Sequence, residues 1–313
     1  MPSSTYCGAI ADIRPDFTAD VRNAGRWPEL EDSLWRSPTL VELTYGRLWR
    51  LVADALPTAA VRVLDIGCGH GALSLELARA GHDVTAIDPD ETAISLARRT
   101  AYERRAGQLT YHTTDVESWD AEEASYDVVV TTRTLHHVTE PADAIGHIRR
   151  WLRPGGQLVC VDFLHDRFDN RAARWLAQVR GLLEATGKYR RDSHLPAEPD
   201  AAVERIEWEW EQEHVVEHQL NGSPQIEGSL DRLFPAHTRS WHPYLYWDLL
   251  VGLAVADPPK ERATATLIAA WEESMLAAGM LSPVLMRFVA TRDDDLRADA
   301  ASPFPAGQAS TRR

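Results

Sequence analysis

Along the first half of the chain, apolar runs five to seven residues long alternate with stretches in which apolar residues recur every three or four positions. The pattern predicts strands at 61–65, 83–88, 109–113, 126–132 and 157–163, with helices at 72–80, 91–105 and 141–152. Buried Val/Ile/Leu strands separated by helices of this length imply a parallel, doubly wound α/β sheet with helices on both faces. Ligands of such sheets bind outside the carboxyl ends of the strands. Asp65, Asp88, Asp115 and the run Thr132 to Thr134 all fall at those ends.

The rest of the chain is patterned differently. Residues 1–55 form an N-terminal helical segment. Within it, 21–55 carry Trp27, Leu30, Leu34, Trp35, Leu40, Val41, Leu43, Leu48, Trp49 and Leu51 at spacings that suit two amphipathic helices, either packed on the sheet edge or lying over the site as a lid. The core spans 56–164, and a helical insertion follows at 165–237, with helices expected near 170–186 and 201–218 around a basic loop holding Lys188, Arg190, Arg191 and His194. Residues 238–292 supply the last strands, near 237–246 and 284–291, with a helix at 263–278 capped by Gly279. Small residues, Pro and Gly beyond Arg292 read as a disordered tail, 293–313.

Composition narrows the classes. A chain of 313 residues that is 44% hydrophobic can bury a substantial core. A formal charge of −14 argues against a general nucleic-acid binder, which needs a net basic face. Three cysteines, Cys7, Cys68 and Cys160, without paired spacing give no disulfide framework and no zinc site, so no metal is expected. No apolar signal region opens the chain, and its longest late apolar stretch, 245–256, is broken by Asp248 and Gly252. A soluble, reducing, cytoplasmic setting without a membrane partner is the expectation.

The densest chemistry lies in Val63-Leu64-Asp65-Ile66-Gly67-Cys68-Gly69-His70-Gly71, an apolar strand running into three alternate glycines ahead of a helix. Glycines there allow positive φ and close backbone approach, and the helix start presents free N–H groups. Asp88-Pro89 closes the next strand about twenty residues on, where a ribose-binding carboxylate belongs. The spacing differs from the G-x-G-x-x-G of dinucleotide sites. It resembles the class I S-adenosylmethionine (SAM) methyltransferases. The likeness extends through Thr114-Asp115-Val116, Tyr126 to Val130, Leu135-His136-His137-Val138 and Leu152-Arg153-Pro154-Gly155-Gly156-Gln157-Leu158, covering about residues 45 to 163. The resemblance implies a seven-stranded Rossmann-like sheet whose last strand is antiparallel, with SAM as cofactor. It implies that Asp88 and Pro89 meet the ribose, that Asp115 and Val116 meet the adenine, and that Asp65 orients the loop and the methionine amino group. Gly67, Cys68, Gly69 and Gly71 then line the approach, with Thr132 and Arg133 at the fourth strand's end.

A sulfonium methyl is already electrophilic, so the protein mainly aligns an acceptor, and a hydroxyl, phenol or ammonium acceptor also needs a base. His136, His165 and His242 are the candidates. Tyr45, Trp208, Trp210, Trp241, Tyr244 and Trp247 are candidates for a pocket suited to a flat or apolar small molecule. Methyl transfer to a small organic acceptor, in secondary metabolism, is the leading expectation. A non-methylating reaction of SAM, such as an intramolecular displacement, or a SAM-binding regulatory subunit without turnover stay open. The oligomeric state is not legible.

Overall fold

A computed structural model of the chain describes residues 15–30, 33–104, 108–190 and 194–293. The expected tail beyond 293, residues 1–14 with Cys7, and Arg191 lie outside the described residues. Seven strands form one sheet: β1 (Arg62–Ile66), β2 (Asp83–Asp88), β3 (Leu109–Thr113), β4 (Tyr126–Thr132), β5 (Leu152–Phe163), β6 (His237–His242) and β7 (Leu285–Thr291). Their order is β3-β2-β1-β4-β5-β7-β6. The first five are parallel, and β7 runs antiparallel between β5 and β6. This is the doubly wound sheet that the alternating pattern predicts. The order reverses at β1 and β4, which puts the switch-point crevice at their carboxyl ends.

β5 begins five residues earlier than the apolar run, because Leu152 already pairs with Tyr126 before a turn through Gly155 and Gly156. A Cβ on Gly156 would come within 2.8 Å of the Arg153 carbonyl, so this turn closes only on glycine.

The helices α4 (Ala72–Arg79), α5 (Glu91–Arg104) and α6 (Pro141–Trp151) make the crossovers. The N-terminal segment holds three short helices, where two were expected: α1 (Phe17–Ala24), α2 (Pro38–Leu43) and α3 (Tyr45–Ala53). Proline sets the breaks. Pro28 opens a short turn of 3₁₀ helix, and Pro38 sits in the first turn of α2, where its missing N–H costs nothing.

After β5 come α7 (Asn170–Ala185) and α8 (Pro199–Glu211), which runs directly into a π-helical turn, Gln212–Glu217. The pattern at 201–218 was read as one regular helix, but its last turn is π. Next is α9 (Ser223–Leu233), which the sequence reading did not foresee. Its apolar stripe, Ile226, Leu230 and then Phe234, is fully buried with Ile145 and Ile148 of α6. α9 is therefore an ordinary crossover helix beneath the sheet, and of the elements between β5 and β6, α7 and α8 pack on the other face. β6 stops at His242 because Pro243 cannot extend a ladder, and the chain turns into α10 (Tyr246–Gly252), then α11 (Pro258–Ala277). One apolar core joins α2, α3, α7, α8, α10 and α11 to one sheet face, and a second joins α6 and α9 to the other. No helix among the described residues is long and apolar enough to cross a membrane.

Candidate active site

The glycine loop is folded back onto the second strand. Gly67 N–H and Cys68 N–H both donate to the Ile87 carbonyl (2.9 and 3.1 Å), and Gly69 N–H donates to Asp88 Oδ2 at 2.7 Å. Gly67 has φ 71°, and a Cβ there would lie 2.1 Å from Thr134 Oγ1. That hydroxyl donates toward the carbonyls of Ile66 (3.1 Å) and Thr132 (3.0 Å), pinning the loop after β1 to the end of β4. Gly71 has φ 79°, and a Cβ would meet the Tyr111 hydroxyl at 2.3 Å. Both positions need glycine for backbone angle and for space.

Asp65 lies beneath this loop, fully buried. Its Oδ2 accepts from Ser74 Oγ at 2.5 Å, while Oδ1 has no partner. Burial raises its carboxyl to about 7, against the Ser74 bond, with Asp88 adding a smaller push upward. A buried carboxylate with one orphaned oxygen beside a helix start is a ready acceptor for a cationic group.

A cavity of about 330 Å³ opens at the strand ends, lined by Gly67, Pro89, Asp115, Val116, Thr134 and His137 among others. Asp115 Oδ1 accepts from Ser118 N–H at 2.6 Å, so the carboxylate is braced facing the turn after β3, and Val116 is buried as an apolar wall. Asp88 is held by two backbone donors, Gly69 N–H at Oδ2 and Asp90 N–H at Oδ1. The Cys68 side chain packs toward Ala86 and Ile94, so this residue offers its backbone and not its thiol.

A second cavity, about 360 Å³, is lined by Tyr45, Arg133, Trp210, His214, Tyr244 and Trp247, with Glu213 and Asp248. Arg133 follows β4 at φ 54°, an uncommon angle for a bulky residue, and its N–H donates to the Val161 carbonyl at 2.8 Å. Its guanidinium lies 4.8 Å from the Trp247 ring centre and 5.9 Å from that of Tyr45, and bonds the Tyr244 hydroxyl. Arg133, expected at the cofactor, thus stands in the aromatic cavity. The wall is fastened from behind by Glu272 of α11. This buried carboxylate accepts from the N–H groups of Tyr244 (2.8 Å), Leu245 (3.0 Å) and Tyr246 (2.7 Å), and burial raises it to about 7 against those three bonds.

His136 is buried and lines neither cavity itself, but adjoins both. Thr134 and His137 on either side of it line the first cavity, while its ring meets Phe163 edge-on at 5.7 Å, and Phe163 lies 4.8 Å from the Tyr244 ring of the second. Its Nδ1 is 2.5 Å from Asp162 Oδ1. Asp162, fully buried, also accepts from Leu135 N–H (2.7 Å) and Phe163 N–H (2.8 Å), so the carboxylate is saturated and rigid. A carboxylate on Nδ1 fixes the tautomer and leaves Nε2 as the basic nitrogen.

Other candidates fall elsewhere. His165 is buried with Nδ1 unpartnered, its ring stacked 6.4 Å from His214, outside the lining of either cavity. Its carbonyl accepts from Trp210 Nε1 at 3.1 Å, which holds that indole in the wall. Along β6 successive side chains face opposite ways, so the run 241–247 is not one surface. Trp241 packs with the α6–α9 side under Arg167, and His242 faces α3 in a separate groove. Trp208 is half exposed beneath Arg205, on α8's outer side. Trp241, His242 and Trp208, expected at the site, line neither of the two cavities.

The reading missed His70, Asp162, His214 and Glu272. His70 sits edge-on to Trp35 (5.1 Å) and Tyr45 (5.8 Å), and burial holds it neutral, lowered to about 4. Only Asp162 gave a signal in advance, as a lone acid within the apolar run of β5.

This fold and site define a SAM-binding α/β transferase. A methyltransferase-domain family model matches residues 40–196, half of the chain, and the chain belongs to that SAM-dependent methyltransferase family. Ubiquinone biosynthesis O-methyltransferase of Aromatoleum aromaticum is 42% identical over 102 residues, covering 32% of this chain and 43% of that protein. The enzyme of the same name from Roseobacter denitrificans is 38% identical over 115 residues, covering 37% and 46%. The chain thus spans less than half the length of the curated relatives it matches. Among solved structures, Haemonchus contortus phosphoethanolamine N-methyltransferase 2 with phosphomonomethylethanolamine and S-adenosylhomocysteine shares the fold (TM-score 0.53, 15% identity, 87% of this chain and 60% of that one). So does geranyl diphosphate methyltransferase with its diphosphate and sinefungin (TM-score 0.50, 14% identity, 82% of each).

The cofactor of this family is SAM, and the residues present fit it. The loop has no room for side chains at Gly67 and Gly71 but open space at Gly69, and Asp65 offers an unpaired oxygen beneath it.

Proposed function

We propose that the chain methylates a hydroxyl of a small, flat organic acceptor, with His136 as general base. The observation that carries this reading is the His136–Asp162 pair at 2.5 Å, flanked in sequence by Thr134 and His137 of the strand-end cavity and packed on Phe163, which adjoins the Tyr244 ring of the aromatic cavity. The relatives named as O-methyltransferases support oxygen as the acceptor atom.

When bound, SAM supplies an electrophilic methyl group, and the remaining work belongs to the protein. Asp88 would accept from the ribose hydroxyls, Asp115 would take the adenine amino group beside Val116, and Asp65 would face the methionine ammonium. Cation near Asp65 favours its ionised form, so binding at neutral pH should release a proton. Tyr45, Trp210, Tyr244 and Trp247 would sandwich the acceptor, and the polar edge of Arg133 would meet its most electron-rich substituent. His136 Nε2 would take the hydroxyl proton, and Asp162 would stabilise the imidazolium that results. Buried rings around that position exclude water, which keeps the alignment worth several kcal/mol, about 7–11 at best.

The test is product analysis with a panel of hydroxylated aromatic compounds and isotopically labelled SAM. Formation of S-adenosylhomocysteine together with an acceptor heavier by one methyl group is expected. Methylthioadenosine in its place would establish the displacement reaction, and tight SAM binding with no product from any acceptor would favour a regulatory subunit.

A further inference from the structure

We propose that the groove between α3 and the β6–β7 edge is a second ligand site, taking a small anion carried on an apolar or aromatic body. It is about 310 Å³, close to the size of the two cavities above, and is lined by Arg47, Arg50, His242, Tyr246, Trp247 and Leu285 among others. Neither the cofactor cavity nor the His136 centre extends into it.

Arg287 stands behind this groove, next to His242, without itself lining it. On β7 it pairs with Ser240 of β6, on the sheet face that carries Val161 and Leu285 of the apolar core together with Ser240 and His242. It is half-buried, yet among the described residues its side chain bonds only the Leu51 carbonyl, from Nε at 2.7 Å, and meets no carboxylate. A guanidinium held off bulk water beside a neutral carbonyl is costly unless a counterion is supplied. Arg50, on α3, is exposed at the groove and likewise has no ion-pair partner among the described residues.

Two further groups add direction. The Arg47 guanidinium lies 5.2 Å from the Tyr246 ring centre, tied on its outer side to Glu273. His242 Nε2 is 2.9 Å from Ser240 Oγ, and a hydroxyl donating there leaves the imidazole proton on Nδ1. Burial and the neighbouring Arg287 hold His242 neutral. Acidic groups on these elements are Glu273, already paired with Arg47, Asp54 at the end of α3, and the buried Glu272 behind Tyr246. Three guanidinium groups stand against two carboxylates and Glu272, whose charge burial opposes by raising it to about 7, so the groove keeps a cationic bias in a chain whose formal charge is −14.

The walls set the rest of the ligand. Leu48, Leu51, Pro243, Tyr246 and Leu285 offer apolar area, so a bare inorganic ion would leave most of the groove empty. Trp247 lines this groove and the acceptor cavity alike, so an occupant here bears on the acceptor wall. That makes the site suited to an effector of acceptor binding.

The experiment uses the full chain saturated with S-adenosylhomocysteine, titrated with phenyl phosphate at fixed ionic strength and followed by calorimetry and tryptophan fluorescence. Inorganic phosphate and phenol are the matched probes for charge alone and ring alone. Saturable binding of phenyl phosphate is expected at least about fivefold tighter than either. Arg50→Glu, at an exposed position that folding does not need, should weaken it at least about fivefold, and Arg287→Gln at least about tenfold. Trp210→Leu, in the other cavity, should leave it within about twofold. No saturable binding, equal binding of phenol, retention in both arginine variants, or loss in Trp210→Leu alone would each overturn the proposal. Because turnover is never read, the outcome is independent of whether the methylation reading holds.

Discussion

The crevice at the carboxyl ends of β1 to β4 and the aromatic wall around Arg133 are built by opposite strategies. In the crevice, the contacts that hold the site are backbone groups: Gly67, Cys68 and Gly69 N–H on Ile87 and Asp88, and Ser118 N–H on Asp115. Positions there follow from strand ends, and the side chains are short. The wall is assembled from α3, β4, the π turn after α8 and the start of α10, held by long-range side-chain bonds such as Glu272 to residues 244–246 and Trp210 Nε1 to the His165 carbonyl. Backbone-built sites tolerate little change and suit a constant ligand. Side-chain-built walls can be altered piece by piece, which suits a ligand that varies between relatives.

His136 lies on the seam between them, and the largest effect is expected there. His136→Asn keeps size and polarity but removes the basic nitrogen, so methylation of a hydroxyl acceptor should fall by about a hundredfold or more, within the range typical of a lost general base. Affinity for S-adenosylhomocysteine, read by calorimetry, should be unchanged. Turnover within about threefold of the parent would remove His136 from the chemistry and return it to a structural role.

Asp88→Ala tests the crevice alone. The carboxylate braces Gly69 and would also accept from the ribose, and two charge-assisted bonds together are worth a few kcal/mol. SAM affinity should drop at least about tenfold with the fold intact. Unchanged affinity in a folded variant would mean that the second strand's end does not carry the ribose.

The same contrast decides what was legible in the sequence. Asp65, Asp88, Asp115 and the glycines could be read because strand ends and turn chemistry are local, and a parallel sheet brings strand ends together without further instruction. The count of seven strands and the antiparallel last strand came with the family resemblance. The wall could not be read in the same way. Trp241 and His242 are adjacent in sequence, yet the pleat sends them to opposite faces, and the π turn that carries Glu213 and His214 to the cavity has no periodicity signal of its own. Glu272 looks like any acid on a helix until the fold sets it against three N–H groups 26 to 28 residues away.

The smallest expected effect sharpens the comparison most, because it uses two tryptophans two residues apart on one helix. Trp210 is stacked on Phe168 at 4.0 Å and anchored to the His165 carbonyl, with its ring in the cavity. Trp208 is 50% exposed, with Arg205 lying 4.6 Å above it. Trp210→Leu removes an anchored wall, and because misplacing a reactant by roughly 1 Å costs about a hundredfold, acceptor turnover should fall by about tenfold or more while cofactor affinity holds. Trp208→Leu loses only a surface stacking contact, so stability, cofactor affinity and turnover should all stay within about twofold. Steady-state kinetics on the two variants side by side is the measurement. If Trp208→Leu proved the more damaging, the acceptor would enter over the outer face of α8, and the cavity around Arg133 would have to serve another purpose.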